Sequence, residues 1–206
     1  MKKHNKNKKG LFVVFEGIDM TGKTTIAKGV VEKLKNKTNI IYQKGICSKT
    51  WIGRISCHYP STFLFLMELI YLSIRNYFKI KKGINIIQDR YFASIACYLP
   101  ITKRFYNSLI LKIGRIVLPK PDMLIYCTAS KETIIQRLKK DCEKNKYHKW
   151  LIDNPEYIDI RKKAYEKYFQ QFEGKKIIMD TSFCTLKNSI AEISNLIQAA
   201  VDRKVL

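Results

Sequence analysis

Along the chain, short apolar runs alternate with longer stretches in which apolar residues recur every three or four positions. The short runs are 11–15, 40–42, 84–88, 123–127 and 177–179. Lys-Lys-Gly at 81–83 breaks the pattern before the third, Pro119 and Pro121 before the fourth, and Gly174 before the fifth. Runs of this length, bounded by such breaks, predict strands buried on both faces. Between them the helical period predicts helices over 24–36, 61–80, 91–98, 105–117, 131–141, 155–172 and 185–202. The last places Leu186, Ile190, Ile193, Leu196 and Ile197 on one face. Strands alternating with helices predict an α/β fold of three layers, a five-stranded parallel sheet flanked by helices. No repeat, linker or second domain interrupts the pattern, so residues 11–206 read as one domain.

The segment joining the first strand to the first helix carries the chemistry. Gly17, Gly22, Lys23 and Thr24 fit the phosphate-loop pattern G-x-x-x-x-G-K-[ST]. The two glycines let the backbone fold tightly, so that N–H groups through Asp19, Met20, Thr21 and on to Thr25 point inward at an anion. Lys23 supplies a mobile positive charge for a ligand's outer phosphates, and the Thr24 hydroxyl is placed to ligate Mg²⁺. The helix that follows adds its positive dipole end.

The third strand ends in Gln88-Asp89-Arg90-Tyr91. Ligands of open α/β sheets bind at the carboxyl ends of the strands, which puts Asp89 beside the phosphate loop as a second Mg²⁺ partner. Arg90 would point at a second anion, since a guanidinium grips phosphate with two parallel hydrogen bonds.

Composition narrows the setting. The 206 residues are 46% hydrophobic, a folding sequence with room for one sizeable core. The longest apolar stretch, 63–74, contains Glu68 and ends at Arg75, so no membrane span is expected. The formal charge is +22, but the lysines are spread over the whole chain and do not form one stripe. Lysine-rich coding bias plus a polyanionic substrate accounts for this better than a nucleic-acid surface. The dense cluster at 2–9 lies in residues 1–10, read as a basic disordered tail. Six cysteines (47, 57, 97, 127, 142, 184) and three histidines lack zinc-ligand spacing, and free thiols fit a cytoplasmic protein.

Taken together, these residues resemble the thymidylate kinase family of nucleoside monophosphate kinases, which have the P-loop kinase fold with a short lid. The stretch FEGIDMTGKTT, with Glu16 before the loop and Asp19 within it, is similar to that family's loop. DRYFAS at 89–94, LPKPDMLIYCTASKETIIQRL at 118–138 and EYIDIRKKAYEKYF at 156–169 are similar to its later segments. The resemblance implies ATP-dependent phosphorylation of a (deoxy)nucleoside 5′-monophosphate, dTMP first, with Lys23, Asp89 and Arg90 catalytic. It places Asp19 near the acceptor's 3′-hydroxyl or its bridging metal and Arg90 on the acceptor phosphate. It stacks Tyr71 on the acceptor base with Arg75 at the base's edge, sets Tyr98 against the sugar 2′ position, and puts Arg137 near the ATP adenine. It implies a lid over about 139–154 and a possible homodimer through the apolar helix 61–80.

The chain also departs from the family's pattern. Gln43-Lys44-Gly45-Ile46 replaces a common Arg-Glu-Pro-Gly, and Ile95 stands where Asn or Ser often bonds the pyrimidine. The family's catalytic arginine is in the loop or the lid. Here Met20 takes the loop position, and the lid offers only lysines: Lys139, Lys140, Lys144, Lys146 and Lys149. Two alternatives stay open: another small-molecule phosphate-loop kinase, acting on a different pyrimidine nucleotide, a nucleoside or a non-nucleotide; and, from a different class, a non-catalytic nucleotide-binding or nucleic-acid-binding protein.

Overall fold

The computed structural model describes residues 9–98, 104–141 and 146–204. Residues 1–8 of the expected tail, and 142–145 of the expected lid with Lys144, lie outside the described residues. Five strands form one parallel sheet: β1 (Phe12–Glu16), β2 (Ile40–Lys44), β3 (Asn85–Asp89), β4 (Met123–Thr128) and β5 (Lys175–Asp180), in spatial order β2-β3-β1-β4-β5. The helices among the described residues are α1 (Lys23–Leu34), α2 (Trp51–His58), α3 (Thr62–Lys81), α4 (Phe92–Tyr98), α5 (Arg104–Val117), α6 (Lys131–Asp141), α7 (Lys146–Asp153), α8 (Glu156–Gln171) and α9 (Leu186–Arg203).

The two-residue period of a strand explains why the apolar runs are continuous. Phe12 and Val14 face one core, with Ile86, Leu124, Tyr126, Leu69, Phe92, Ile158 and Tyr165. Leu11, Val13 and Phe15 face the other, with Ile26, Val30, Leu34, Ile87, Ile125, Ile193 and Ile197. Helices therefore cover both faces, α1 and α9 on one side and α3, α4 and α8 on the other. Edge strand β5 begins with the exposed Lys175 and Lys176, which discourage pairing with another chain. Because those lysines hide the apolar pattern, the strand is longer than the 177–179 read from sequence.

Three other details differ from the pattern-based reading. Helix α2 was not anticipated: it buries only Ile52, Gly53 and Ser56, too few positions to show a period. Its cap was legible, since the Thr50 hydroxyl accepts from the Gly53 N–H at 3.0 Å. Helix α7 stands within the segment read as lid, and its Leu151 is buried in the first core. Gly10, read as the end of the tail, is buried and donates its N–H to the Ile80 carbonyl at 2.8 Å. A Cβ there would lie 2.0 Å from the Ile84 carbonyl oxygen, which only glycine avoids.

Candidate active site

Strand order fixes where the site forms. The chain leaves β1 to reach β2 on one side of the sheet and leaves β3 to reach β4 on the other, so a crevice opens between the carboxyl ends of β1 and β3. Phe15 lies in register with Asp89, which brings the phosphate loop beside the Asp89-Arg90 pair. Gly17 has a φ of 146°, and a Cβ on it would sit 2.2 Å from the Cys127 carbonyl oxygen; Gly22 has a φ of 77° just before α1. Both are backbone conformations that glycine adopts without steric cost. Met20 adopts a φ of 65° inside the same loop.

The loop's cation is held in place by the loop itself. Lys23 Nζ donates to the Ile18 carbonyl at 2.9 Å and lies 3.7 Å from Asp19 Oδ1. Burial lowers the pKa of its ammonium, and the neighbouring Arg90 charge lowers it further. The Thr21 hydroxyl donates to the same Ile18 carbonyl at 2.8 Å. Thr24 and Thr25 are exposed on the first turn of α1.

Asp89 and the Thr24 hydroxyl meet at 2.5 Å, and the Tyr42 hydroxyl donates to the same carboxylate oxygen at 3.0 Å. The other oxygen, Oδ1, is buried and has no hydrogen-bond partner among the described residues. An orphaned buried carboxylate oxygen beside a threonine hydroxyl is the donor set that a hard divalent cation takes, so these residues fit Mg²⁺.

Arg90 has a φ of 74°, the left-handed region, which turns its side chain over the loop. Its guanidinium forms an ion pair with Asp19 and donates to the Ser94 hydroxyl at 3.3 Å. Tyr98 donates its hydroxyl to the second Asp19 oxygen at 3.2 Å. Burial alone would raise the Asp19 pKa, but Arg90 and Lys23 overcome it and hold the carboxyl well below the usual range. The turn carrying Arg90 rests on Gly45, whose N–H donates to the Asp89 carbonyl at 2.8 Å. A Cβ there would meet the Arg90 carbonyl oxygen at 1.8 Å, so the altered 43–46 segment keeps a glycine where the two turns touch.

Beneath this cluster Glu16 is buried at the end of β1. It accepts from the N–H groups of Tyr91 (2.7 Å) and Ser94 (3.1 Å) and from the Ser94 hydroxyl (2.6 Å). It thereby fixes the start of α4, and with it Arg90 and Tyr98, relative to the loop. Burial raises its pKa, against the opposing effect of the Ser94 hydrogen bonds.

Of the residues singled out from sequence, Asp19, Lys23, Thr24, Asp89, Arg90 and Tyr98 converge. Arg137 reaches the loop from α6, donating to the Met20 carbonyl (2.9 Å) and to the hydroxyl and carbonyl of Thr181 (2.9 and 2.8 Å). It clamps the loop against the turn after β5. Tyr71 and Arg75 pair with each other, the guanidinium 5.6 Å from the ring centre. They lie on a side of α3 flanked by the exposed Met67, Ile74 and Phe78, while Leu69, Leu72 and Asn76 face the core. The i, i+4 spacing pairs them as expected, with Tyr71 half-buried and Arg75 exposed, one turn along α3 from Glu68, which accepts from the Cys47 and Ser48 N–H groups. Ile95 is buried in the first core.

Two contributors carried no sequence signal that spacing could read. Tyr42 ends up on Asp89 only because β2 pairs with β3 at Tyr42–Ile87. Arg161, on α8, lies 3.8 Å over the Tyr98 ring and donates to the Tyr147 hydroxyl of α7. Two clefts beside Pro119 and Lys120 are lined by no phosphate-loop residue.

The Asp19 environment has a stability consequence. The folded carboxyl titrates below its ordinary value of 3.8, so its contribution is complete above that value and is lost as pH falls through it toward the folded pKa. The difference in melting temperature between the native chain and Asp19→Asn should therefore be constant from pH 7 down to about pH 4 and begin to narrow only below it, as melts taken from pH 7 to pH 2 would show.

Comparison with known proteins gives the family. The thymidylate kinase family model matches residues 15–193. The thymidylate kinase of Malacoplasma penetrans is 29% identical over 185 residues, covering 82% of this chain and 80% of that protein. The thymidylate kinase of Rickettsia typhi is 26% identical over 163 residues, covering 72% and 79%. Among solved structures, the thymidylate kinase from Candida albicans shares the fold, with a TM-score of 0.69 at 20% identity over 93% of this chain and 92% of that one. With a family match from β1 into α9 and the phosphate loop, Asp89 and Arg90 gathered in one crevice, the chain belongs to the thymidylate kinase family.

Proposed function

We propose that the protein transfers the γ-phosphoryl group of ATP to a deoxynucleoside 5′-monophosphate, dTMP, giving ADP and dTDP. The observation that carries this is the pairing of two anion sites in one crevice, the phosphate loop with Lys23 on one wall and Arg90 on the other. The loop amides, Lys23 and Thr24 bind the donor phosphates, and Arg137 borders the adenine side. Arg90 takes the acceptor phosphate, and Asp19 and Tyr98 face its sugar. An oxygen of the acceptor 5′-phosphate attacks the γ phosphorus, and the bridging oxygen leaves with ADP. The protein's contribution is positioning and charge neutralisation. Thr24 and Asp89 would hold Mg²⁺, which when bound neutralises charge on the outer phosphates. Tyr71 of α3, half-buried and paired with Arg75 at 5.6 Å from its ring centre, would stack on the base, with Arg75 at the base's edge. Free cysteines at 47, 57, 97, 127 and 184 suit a cytoplasmic enzyme, and the dispersed lysines give no platform for nucleic acid.

Arg90 distinguishes a phosphorylated acceptor from an unphosphorylated one. Arg90→Ala should raise the KM for dTMP by at least about tenfold, with the KM for ATP changed by less than about threefold. Steady-state kinetics with each substrate varied would check it. An unchanged acceptor KM would favour a nucleoside acceptor instead.

The homodimer is assigned to the outer face of α3. Phe63, Met67, Ile74 and Phe78 are 50%, 40%, 56% and 57% exposed and recur at helical spacing. Burying such a stripe against its twin by two-fold symmetry removes it from water. Light scattering should report a dimer for the native chain and a monomer for a Met67→Glu, Phe78→Glu double variant. A native monomer at tens of micromolar would contradict the assignment.

A further inference from the structure

We propose that Arg161 is the arginine that meets the transferring phosphoryl group, supplied by the helix after the lid where neither the phosphate loop nor the lid provides one. The inference rests on the kinase reading above. Phosphoryl transfer spreads negative charge over the migrating group, and a guanidinium matches its planar array of oxygens as an ammonium cannot. Met20 takes the loop position, and residues 139–154 contain no arginine.

Arg161 stands at the right cluster. Its guanidinium lies 3.8 Å from the centre of the Tyr98 ring, and Arg90 lies 5.7 Å from that same centre. The Tyr98 hydroxyl bonds Asp19, which in turn pairs with Arg90 and sits 3.7 Å from Lys23. Lys23 and Arg90 thus flank one carboxylate, and Arg161 stacks on the tyrosine whose hydroxyl bonds it. Asp89 is the only other carboxylate facing the loop among the described residues. Glu16 is sealed below, with its pKa raised by burial.

Charge balance points the same way. Arg161 makes no ion pair among the described residues; its hydrogen bond goes to the neutral Tyr147 hydroxyl. A half-buried guanidinium with no counter-charge among the described residues, sharing the Tyr98 ring with Arg90, calls for an anion. Stacking on Tyr98 orients its plane in advance, so little freedom remains to be lost when phosphate arrives. The other described arginines are committed or remote. Arg137 is bound to Met20 and Thr181, Arg75 pairs with Tyr71 on α3, and Arg115 lines the cleft by Pro119. Tyr147 belongs to α7, so seating of the lid segment and placement of the guanidinium are one event.

In the step itself, Arg161 donates N–H groups to oxygens of the γ-phosphoryl as its bond to the ADP oxygen breaks and its bond to the acceptor oxygen forms. No proton leaves the guanidinium. The effect therefore belongs to the transition state and should appear in kcat more than in either KM.

The test is steady-state turnover of dTMP and ATP by the native enzyme, Arg161→Ala and Arg161→Lys, with thermal melts and calorimetric dTMP binding for each. Arg161→Ala should lose about a hundredfold or more in kcat, both KM values staying within about threefold and the dTMP Kd unchanged. Arg161→Lys should recover no more than about a tenth of native kcat, because it keeps the charge and loses the fork. If the alanine variant does not fold, the lysine variant carries the comparison. A kcat within threefold of native for either variant would overturn the assignment, as would a loss expressed only in acceptor KM and Kd. Native enzyme that turns over dTMP while Arg161→Ala is unaffected refutes this inference alone; native enzyme that turns over no monophosphate removes the kinase reading and this inference with it.

Discussion

Replacing Lys23 by methionine should lower kcat by about 10²- to 10³-fold and leave the fold intact. Methionine nearly matches the length of the side chain and deletes only the ammonium. In the structure that ammonium is buried, bonded to the Ile18 carbonyl and 3.7 Å from Asp19. Burial and the Arg90 charge both disfavour it, so the folded protein carries an electrostatic cost that phosphate relieves. Without it, the donor's outer phosphates lose their direct cation, and the effect falls on the step where charge moves. Asp19 remains paired with Arg90, so the melting temperature should stay near native or rise. Rate measurements at saturating substrate and a thermal melt separate the two effects. A melting temperature many degrees lower would mean that Lys23 is chiefly structural.

The second large effect concerns stability. Glu16→Ala should destabilise the fold by about 3–4 kcal/mol, because it strands the donors of Tyr91 and Ser94 that now converge on one buried carboxylate. The damage would not stay local. Those donors sit at the start of α4, directly after Arg90 and before Tyr98, so the acceptor wall would loosen with the helix. Denaturant unfolding would measure the loss, and a value under about 1 kcal/mol would contradict this account of Glu16. The pH dependence has the opposite sign to that of Asp19. Burial raises the Glu16 pKa above 4.5, so the folded state binds that proton more tightly, and the residue's contribution declines as pH rises from 4.5 through the folded value.

Much of this architecture was legible because the chemistry is local. Gly17, Gly22, Lys23 and Thr24 are contiguous in sequence, and the two glycine positions demand conformations that few other residues accept. The strands showed themselves because both faces of the sheet are covered, which makes them continuously apolar. What stayed hidden is long-range. The Arg161 side chain reaches Tyr98 across 63 residues of sequence, and Tyr42 meets Asp89 only through strand pairing. Tyr71 and Arg75 mark the limit of what spacing can say. Their spacing shares a helix face, but which face looks into the crevice depends on how α3 docks. That docking is set by Asn76 on Gln88 and by Glu68 on the Cys47 and Ser48 N–H groups, none of which a helical period reveals.

The account stands or falls on one measurement: ADP release coupled to acceptor phosphorylation, followed with ATP, Mg²⁺ and dTMP, dUMP, UMP, CMP or dGMP in turn. The account predicts turnover with dTMP well above the others, abolished by omission of Mg²⁺. ATP binding with no turnover on any monophosphate would contradict it.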